Sequence, residues 1–240
     1  MLKILEKAIG GDSVGYRHEF KYLGTDNELK LLKLRLNGII RPDSHAREDG
    51  TYLIRSIYFD DIDDRCLHEN EDGVDPRSKY RIRIYNCDNS RISLEEKKKE
   101  SGKCHKISER LNMDSFRMLV YGEENPGLEA KCGFLVKKLM TLRRTRLMKP
   151  KVIVQYVRTP YICPLGNVRI TFDREISSSP DIDDFFSPSL RVRPVLPIGQ
   201  NLLEVKYDEF LPDYIEMALR NRTLRYTTFS KYYMCRCYDL

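Results

Sequence analysis

The sequence predicts an α+β fold in which an antiparallel sheet or barrel of seven or eight strands carries helices on one face. Three observations lead there. Short stretches such as YRIRIY (80–85), KVIVQYVR (151–158) and VRITFDREI (168–176) alternate apolar and polar residues with the period of two expected of strands. Most of them follow one another without the helical crossover that a parallel pair needs. Other stretches place apolar residues at helical spacing, and those stripes need a sheet to pack on.

In chain order, residues 1–14 read as a short helix or tail ending at Gly10-Gly11, and 16–22 as a strand. Thr25 or Asp26 caps a helix to about Ile40, with Leu29, Leu32, Leu36 and Ile39 on one face, and Arg41-Pro42-Asp43 ends it. Residues 51–60 are rich in β-branched and aromatic residues and read as a strand. Asp61 to Ser78 read as a loop or short helix. The strand at 80–85 turns through Asn86–Ser90 into its hairpin partner, 92–99. Residues 112–121 and 127–148 read as helices, the second carrying Leu128, Phe134, Leu135, Leu139 and Leu142. The strand at 151–158 is expected to stop at Pro160. Strands follow at 168–176 and 202–207, separated by a polar loop, SSSPDIDDFFSPS, and a short helix at 213–222 begins near Pro212. The stretch TTFSKYYMCRCY fits either state.

Composition bounds the function. The 240 residues include 41% apolar and 32% charged residues, enough for a core, which excludes global disorder. No repeat or linker divides the chain, so one domain is expected over 1–240. No apolar run approaches the ~20 residues of a membrane span, and the start lacks a signal-peptide core, which predicts a cytoplasmic protein. The net charge of +6 does not identify a nucleic-acid binder. Seven cysteines without CxxC or zinc spacing read as reduced thiols.

The location of the charge is more informative. On a strand, residues i and i+2 share a face. Across six strands one face is apolar and the other collects Arg17, Lys21, Arg81, Arg83, Lys97, Arg158, Arg169 and Lys206 with Glu19, Glu95, Asp173 and Glu204. Eight cations against four anions leave a surplus of four. Such a face either meets bulk water, as in an ordinary half-buried sheet, or lines a closed barrel. Enclosure would cost several kcal/mol per unpaired ion unless a polyanion enters. The arginine fork suits phosphate oxygens, and the carboxylates suit Mg²⁺ or Mn²⁺ shared with phosphates. The expectation is a metal-assisted site for a chain of phosphates.

The motifs R-H-E-F-K-Y (17–22), S-I-Y-F-D-D (56–61), K-Y-R-I-R-I-Y (79–85), L-E-E-K-K-K (94–99), L-L-E-V-K-Y (202–207) and F-S-K-Y (229–232) together resemble the vacuolar transporter chaperone (VTC) polyphosphate polymerase domain, a branch of the triphosphate tunnel metalloenzymes related to the CYTH proteins. The ordered set covers about residues 16–235. The resemblance implies an eight-stranded antiparallel β-barrel, a triphosphate tunnel, with helices packed on the outside. It also implies Mn²⁺- or Mg²⁺-dependent transfer of the ATP γ-phosphate to polyphosphate, with release of ADP.

Carried over by position, Arg81, Arg83, Lys97, Arg158 and Glu204 would be catalytic. Arg17, Lys21, Lys106, Arg169, Lys206, Ser230 and Lys231 would bind phosphate, with Lys103 competing for the role of Lys106. Glu204, assisted by Glu19 and Glu95, would hold the metal. The superfamily signature E-x-E-x-K reads Arg17-His18-Glu19-Phe20-Lys21 here, which fits the VTC branch better than the CYTH branch. A second lysine of the eukaryotic polymerases is Thr228. Those members also carry an SPX domain and membrane helices, so the resemblance leaves room for a membrane-protein partner in trans. ATP and polyphosphate are the expected partners; nucleic acid is not.

Other residues weigh toward structure. His18, His45, His68 and His105 share no spacing, and the Asp60, Asp61, Asp63, Asp64 cluster lacks the glycine and terminal glutamate of a calcium loop. Two other functions use nearly the same inner face: a hydrolase of triphosphate or nucleoside triphosphates, and a non-catalytic polyphosphate- or RNA-binding module.

Overall fold

The computed structural model describes residues 18–44, 46–101, 103–221 and 223–239. The expected N-terminal helix or tail over 1–14, Arg17 and His45 lie outside them.

Strand β1 (His18–Thr25) leads into α1 (Asp26–Asn37) through a capping box. The Thr25 hydroxyl accepts the Glu28 N–H, and Glu28 accepts the Thr25 N–H at 2.7 Å. Leu29, Leu32 and Leu36 are buried as expected, but Ile39 is exposed and Ile40 takes the core position. After the two-residue β2 (Arg41–Pro42) come β3 (Tyr52–Asp60), α2 (Arg65–Glu71), β4 (Arg77–Tyr85) and β5 (Asp88–Glu100). Asn86 and Cys87, with φ of 54° and 58°, make the tight β4–β5 turn.

Next is β6 (Lys103–Leu111), a strand not expected from the sequence. Then come α3 (Met113–Tyr121), α4 (Pro126–Lys131) and α5 (Phe134–Arg146). The single helix expected over 127–148 is broken because Glu109 of β6 accepts the N–H groups of Gly133 at 3.0 Å and Leu135 at 2.9 Å, starting a new helix there. Phe134, expected on the apolar stripe, is exposed.

Strand β7 (Lys149–Cys163) does not stop at Pro160, which pairs with Thr171 of β8 (Val168–Ser179) while its carbonyl accepts the Asp43 N–H at 3.1 Å. The polar loop after β8 buries Phe185 completely, pinned where the Arg55 guanidinium donates to the Phe185 and Ser187 carbonyls at 2.7 Å. The chain continues through β9 (Arg193–Pro194), β10 (Gln200–Tyr207), α6 (Asp213–Leu219), β11 (Arg225–Tyr226) and α7 (Lys231–Asp239). The last of these makes KYYMCRCY, the second part of TTFSKYYMCRCY, a helix, while residues 227–230 lead into it without helical structure.

Among the described residues all strands join one antiparallel sheet of eleven, ordered β11-β1-β10-β8-β7-β3-β4-β5-β6, with β2 on β7 and β9 on β8. Eight strands are long; β2, β9 and β11 have two residues each. The sheet is open, which corrects the expected closed eight-stranded barrel. Its edges β1 and β6 approach each other, but the outer edge of β1 is already used. Tyr22 and Leu23 pair with β11, and the Lys21 carbonyl accepts the Thr227 N–H at 2.9 Å. Side chains span the gap instead: the Cys104 thiol of β6 donates to Glu19 of β1 at 3.4 Å.

The outward faces of the strands carry the core. Alpha-helices α3 and α5 pack on β5 and β6 in one cluster, and α1 and α6 pack with β8 and β10 in another. The inward face is left to the charged residues.

Candidate functional site

The curled sheet surrounds a partly open cavity of about 1180 Å³. Strand alternation aims its lining: Glu19 and Lys21 from β1, Lys79, Arg81 and Arg83 from β4, Lys97 from β5, Arg158 from β7, and Glu204 and Lys206 from β10. The N-terminal end of α7 adds Ser230 and Lys231. Among the described residues, twelve lysines and arginines line the cavity. The carboxylates are Glu19, Glu71 and Glu204 in the lining, with Glu95 and Asp173 buried within the same ion-pair network. Cations are therefore in clear excess.

The acids hold the cations in three groups. Glu19 lies 2.6 Å from Lys97, 3.4 Å from Lys206 and 3.8 Å from Lys21. Glu95 takes a forked contact from Arg81, at 2.6 and 2.7 Å, with Lys106 at 3.6 Å and Arg83 at 3.8 Å. Asp173 takes another fork, from Arg158 at 2.6 and 2.7 Å, and Lys231 stands 2.7 Å from Asp173 and 2.6 Å from Glu204. Glu204 also meets Lys206 at 3.1 Å and Arg158 at 3.3 Å.

Hydroxyls aim the guanidinium groups: Arg81 donates to Tyr58 at 2.8 Å, and Arg83 donates to Tyr156 at 3.1 Å. Lys231 and Arg158 also lie over the Tyr156 ring, at 4.8 and 5.2 Å from its centroid.

Burial works against every carboxylate here, yet the cations win. Lys206, Lys97 and Lys21 hold Glu19 well below the usual carboxylate range, and Arg81, Arg83 and Lys106 do the same for Glu95. Arg158 and Lys231 lower Asp173, and Lys206, Lys231 and Arg158 lower Glu204. Two lysines go the other way. Burial brings Lys21 down to about 8, and burial with Lys21, Lys97 and Arg77 nearby brings Lys79 down to about 7.

Most residues singled out from the sequence thus meet in one cavity. Arg81, Arg83, Lys97, Arg158, Glu204, Lys21, Lys206, Ser230 and Lys231 are all there. Lys106 lies in the lining, with its side chain partly exposed. Arg169 sits at the rim, 3.6 Å from Asp43. Glu95 faces arginines, apart from the Glu19–Glu204 neighbourhood. Among the charged residues not predicted as site residues, Glu71, Arg77, Lys79 and Lys99 line the cavity and Asp173 lies buried in its ion-pair network. Lys79 shares the face of Arg81 and Arg83, so the alternation that found them could have found it. Asp173 was counted on the charged face, but the sequence shows no sign of its forked pairing with Arg158.

A divalent ion fits this donor set in one way. Among the described residues no three His, Cys, Asp or Glu side chains gather as a metal-binding group. Mg²⁺-type ions, however, are commonly held by one or two carboxylates with the rest supplied by water and substrate phosphates. Glu204 is flanked by Glu19 through Lys206 and by Asp173 through Lys231. Beside it in register, Thr171 holds a buried hydroxyl oxygen with no hydrogen-bond partner. Glu204 is the carboxylate that would hold such an ion, with water and phosphate oxygens completing its shell.

Comparisons with known proteins agree with the fold. Comparison with curated proteins finds no match. Among solved structures, a Hippeastrum protein named for adenylyl cyclase and reported to have a dominant triphosphatase activity is 14% identical, with a TM-score of 0.54 over 94% of this chain and 97% of that one. A Bacillus halodurans protein named for adenylate cyclase is 14% identical, with a TM-score of 0.49 over 85% of this chain and 86% of that one. A Pyrococcus horikoshii protein is 15% identical, with a TM-score of 0.47 over 92% and 96%. The family model described as the VTC domain matches residues 16–238. With that match spanning nearly the whole sequence, the chain belongs to the VTC domain family.

Proposed function

We propose that the protein transfers the γ-phosphoryl group of ATP to a growing inorganic polyphosphate chain, releasing ADP. The observation that carries this reading is the set of twelve cationic side chains lining one cavity of about 1180 Å³, against three lining carboxylates. A clustered, largely buried surplus of this kind is stabilised by an elongated polyanion, and phosphates match the forked arginines.

Phosphoryl transfer asks a protein mainly for alignment and charge neutralisation. Arg81, Arg83, Lys97 and Arg158 hold the β- and γ-phosphates. Their present carboxylate partners keep them aimed until phosphate oxygens take over part of each pairing. Lys21, Lys106, Lys206 and Lys231 hold the acceptor chain, and Arg169 receives it at the rim. Glu204, with Glu19 or Asp173, would hold Mg²⁺ or Mn²⁺, which supplies charge neutralisation between phosphate oxygens. Glu95 orients Arg81.

The test is purified full-length protein with ATP and Mn²⁺, resolved for polyphosphate on a gel. Long polyphosphate supports the reading. Orthophosphate alone makes the protein a hydrolase with water as acceptor. Salt-sensitive binding without ADP release makes it a binding module.

A further inference from the structure

We propose that Ser230 and Lys79 form a Ser–Lys dyad in which Ser230 is the first phosphoryl acceptor, so that a chain can start on the protein itself. The inference rests on the ATP-dependent phosphoryl transfer proposed above.

The geometry is that of a nucleophile beside its base. Lys79 Nζ lies 2.9 Å from Ser230 Oγ, and both side chains line the same cavity as the phosphate-holding arginines. The other polar partner of Lys79 is the side-chain oxygen of Asn70, at 2.5 Å. Lys79 differs from its neighbours here. Lys97, Lys206 and Lys231 each meet a carboxylate, whereas neither polar partner of Lys79 is charged.

Together, the surroundings of Lys79 disfavour its ammonium form. Burial counts most, then Lys21 from β1, Lys97 from β5 and Arg77 on its own strand; the Cys66 thiol of α2 and the Tyr232 ring of α7, 5.7 Å away, favour the ammonium but are outweighed. Its ordinary value falls to about 7, so a large share is neutral amine at neutral pH, able to take a proton.

Ser230 immediately precedes α7, and the Tyr233 N–H donates to its oxygen at 3.3 Å. A phosphate there gains the helix N-terminus and the newly formed Lys79 ammonium.

The step balances. Ser230 Oγ forms a bond to the γ-phosphorus as the bond from that phosphorus to the bridging oxygen breaks. The bridging oxygen leaves with its electron pair on ADP, and the Ser230 proton passes to Lys79 Nζ. The seryl phosphate then offers its oxygen to the next γ-phosphoryl group.

The test incubates the full chain with ATP and Mn²⁺, quenches in acid over a time course, and maps phosphoserine by tandem mass spectrometry while ADP and polyphosphate are measured in parallel. Phosphate on Ser230 is expected in the wild type and not in S230A. Adduct formation should quicken as pH rises through the Lys79 titration near 7. It should fall about 100-fold or more in K79Q and equally in K79R, which keeps the charge but not the base. Polyphosphate made while Ser230 stays unmodified at every time overturns the dyad and leaves the polymerase reading standing. Absence of ADP, polyphosphate and adduct together overturns both. Full rescue by K79R reduces Lys79 to a charge and overturns its role as base.

Discussion

Lys231 Nζ lies 2.6 Å from Glu204 Oε1, with both side chains buried. The same ammonium touches Asp173 at 2.7 Å, so it keeps a partner if the Glu204 charge is removed. Glu204→Gln preserves shape but loses the anionic ligand and one of the two acceptor oxygens that now meet Lys231 and Arg158. Even outer partners of metal ligands are worth about 10–100-fold in affinity or activity. Metal-dependent ADP release should therefore fall about 100-fold or more, with the circular dichroism spectrum unchanged. Full activity in this variant would remove Glu204 from the metal site.

In the proposed reading Arg81 serves binding as well as stability. Its fork holds Glu95 at 2.6 and 2.7 Å, and removing one partner of a buried pair typically costs about 3–5 kcal/mol. Arg83 and Lys106 still face Glu95, so Arg81→Ala should lose about 3 kcal/mol or somewhat less in urea unfolding. ATP binding, followed by calorimetry, should weaken as well. Arg81→Lys should restore stability better than affinity, because a lysine keeps the charge and loses the fork. Unchanged ATP binding in Arg81→Ala would place this arginine outside the nucleotide site.

Acid should loosen the fold through the same acids. Glu19, Glu95, Asp173 and Glu204 all titrate lower in the folded chain than a free carboxylate, which titrates near pH 4. The unfolded chain then binds more protons in the window between the two values. Their contribution is complete above the unfolded value and is lost as pH falls through the lower folded values. Unfolding free energy measured from neutral pH downward should stay level to about pH 5 and then drop steeply. A flat profile into strong acid would contradict the ion-pair network.

Glu109 is a helix cap donated by a neighbouring strand. It accepts the N–H groups of Gly133, Leu135 and Val136 at 3.0, 2.9 and 3.4 Å. Glu109→Ala should cost about 1 kcal/mol, the usual worth of a cap. Gly133→Ala should act in the same direction, since a Cβ there would stand 2.5 Å from the Glu109 carboxylate. Thermal denaturation of the two single variants and the double variant checks this. Once Glu109 is gone the glycine change should cost little, as coupled neighbours do not add.

Period-two alternation made the inner face readable. It aims Arg81, Arg83, Glu95, Lys97 and Arg158 inward with no tertiary information, and the structure places these five in the cavity and its ion-pair network. It fails where a strand has no apolar face. KCHKISERL of β6 buries only Leu111, so nothing in its pattern marks it as a strand, and its pairing with β5 alone forms it. Sheet closure was not legible either, because it turns on whether the outer edge of β1 meets β6 or β11. Residues 225–227 decide that from more than 200 positions away. The fate of TTFSKYYMCRCY is similarly remote. Its helix is held by Tyr232 stacking on Tyr58 at 5.1 Å and donating to Asp60 at 2.5 Å.

The cation excess itself can be weighed without any turnover. Twelve lysines and arginines sharing one cavity repel one another in the ligand-free protein, and a ligand that binds only the folded chain stabilises it by mass action, about 2.7 kcal/mol at about 100 times Kd. Chain length then discriminates. Orthophosphate can satisfy one cluster, such as Arg81 with Arg83, whereas triphosphate can reach from there toward Lys97 and Lys206, and longer chains can occupy Lys231 and the Arg169 rim together. Melting temperature at equal phosphate concentration should therefore rise from orthophosphate to triphosphate to long polyphosphate. The increments should shrink as sodium chloride increases, because released counterions drive part of the binding. Equal shifts for all three ligands would mean separate surface sites, and the cavity would then have no special claim on a phosphate chain.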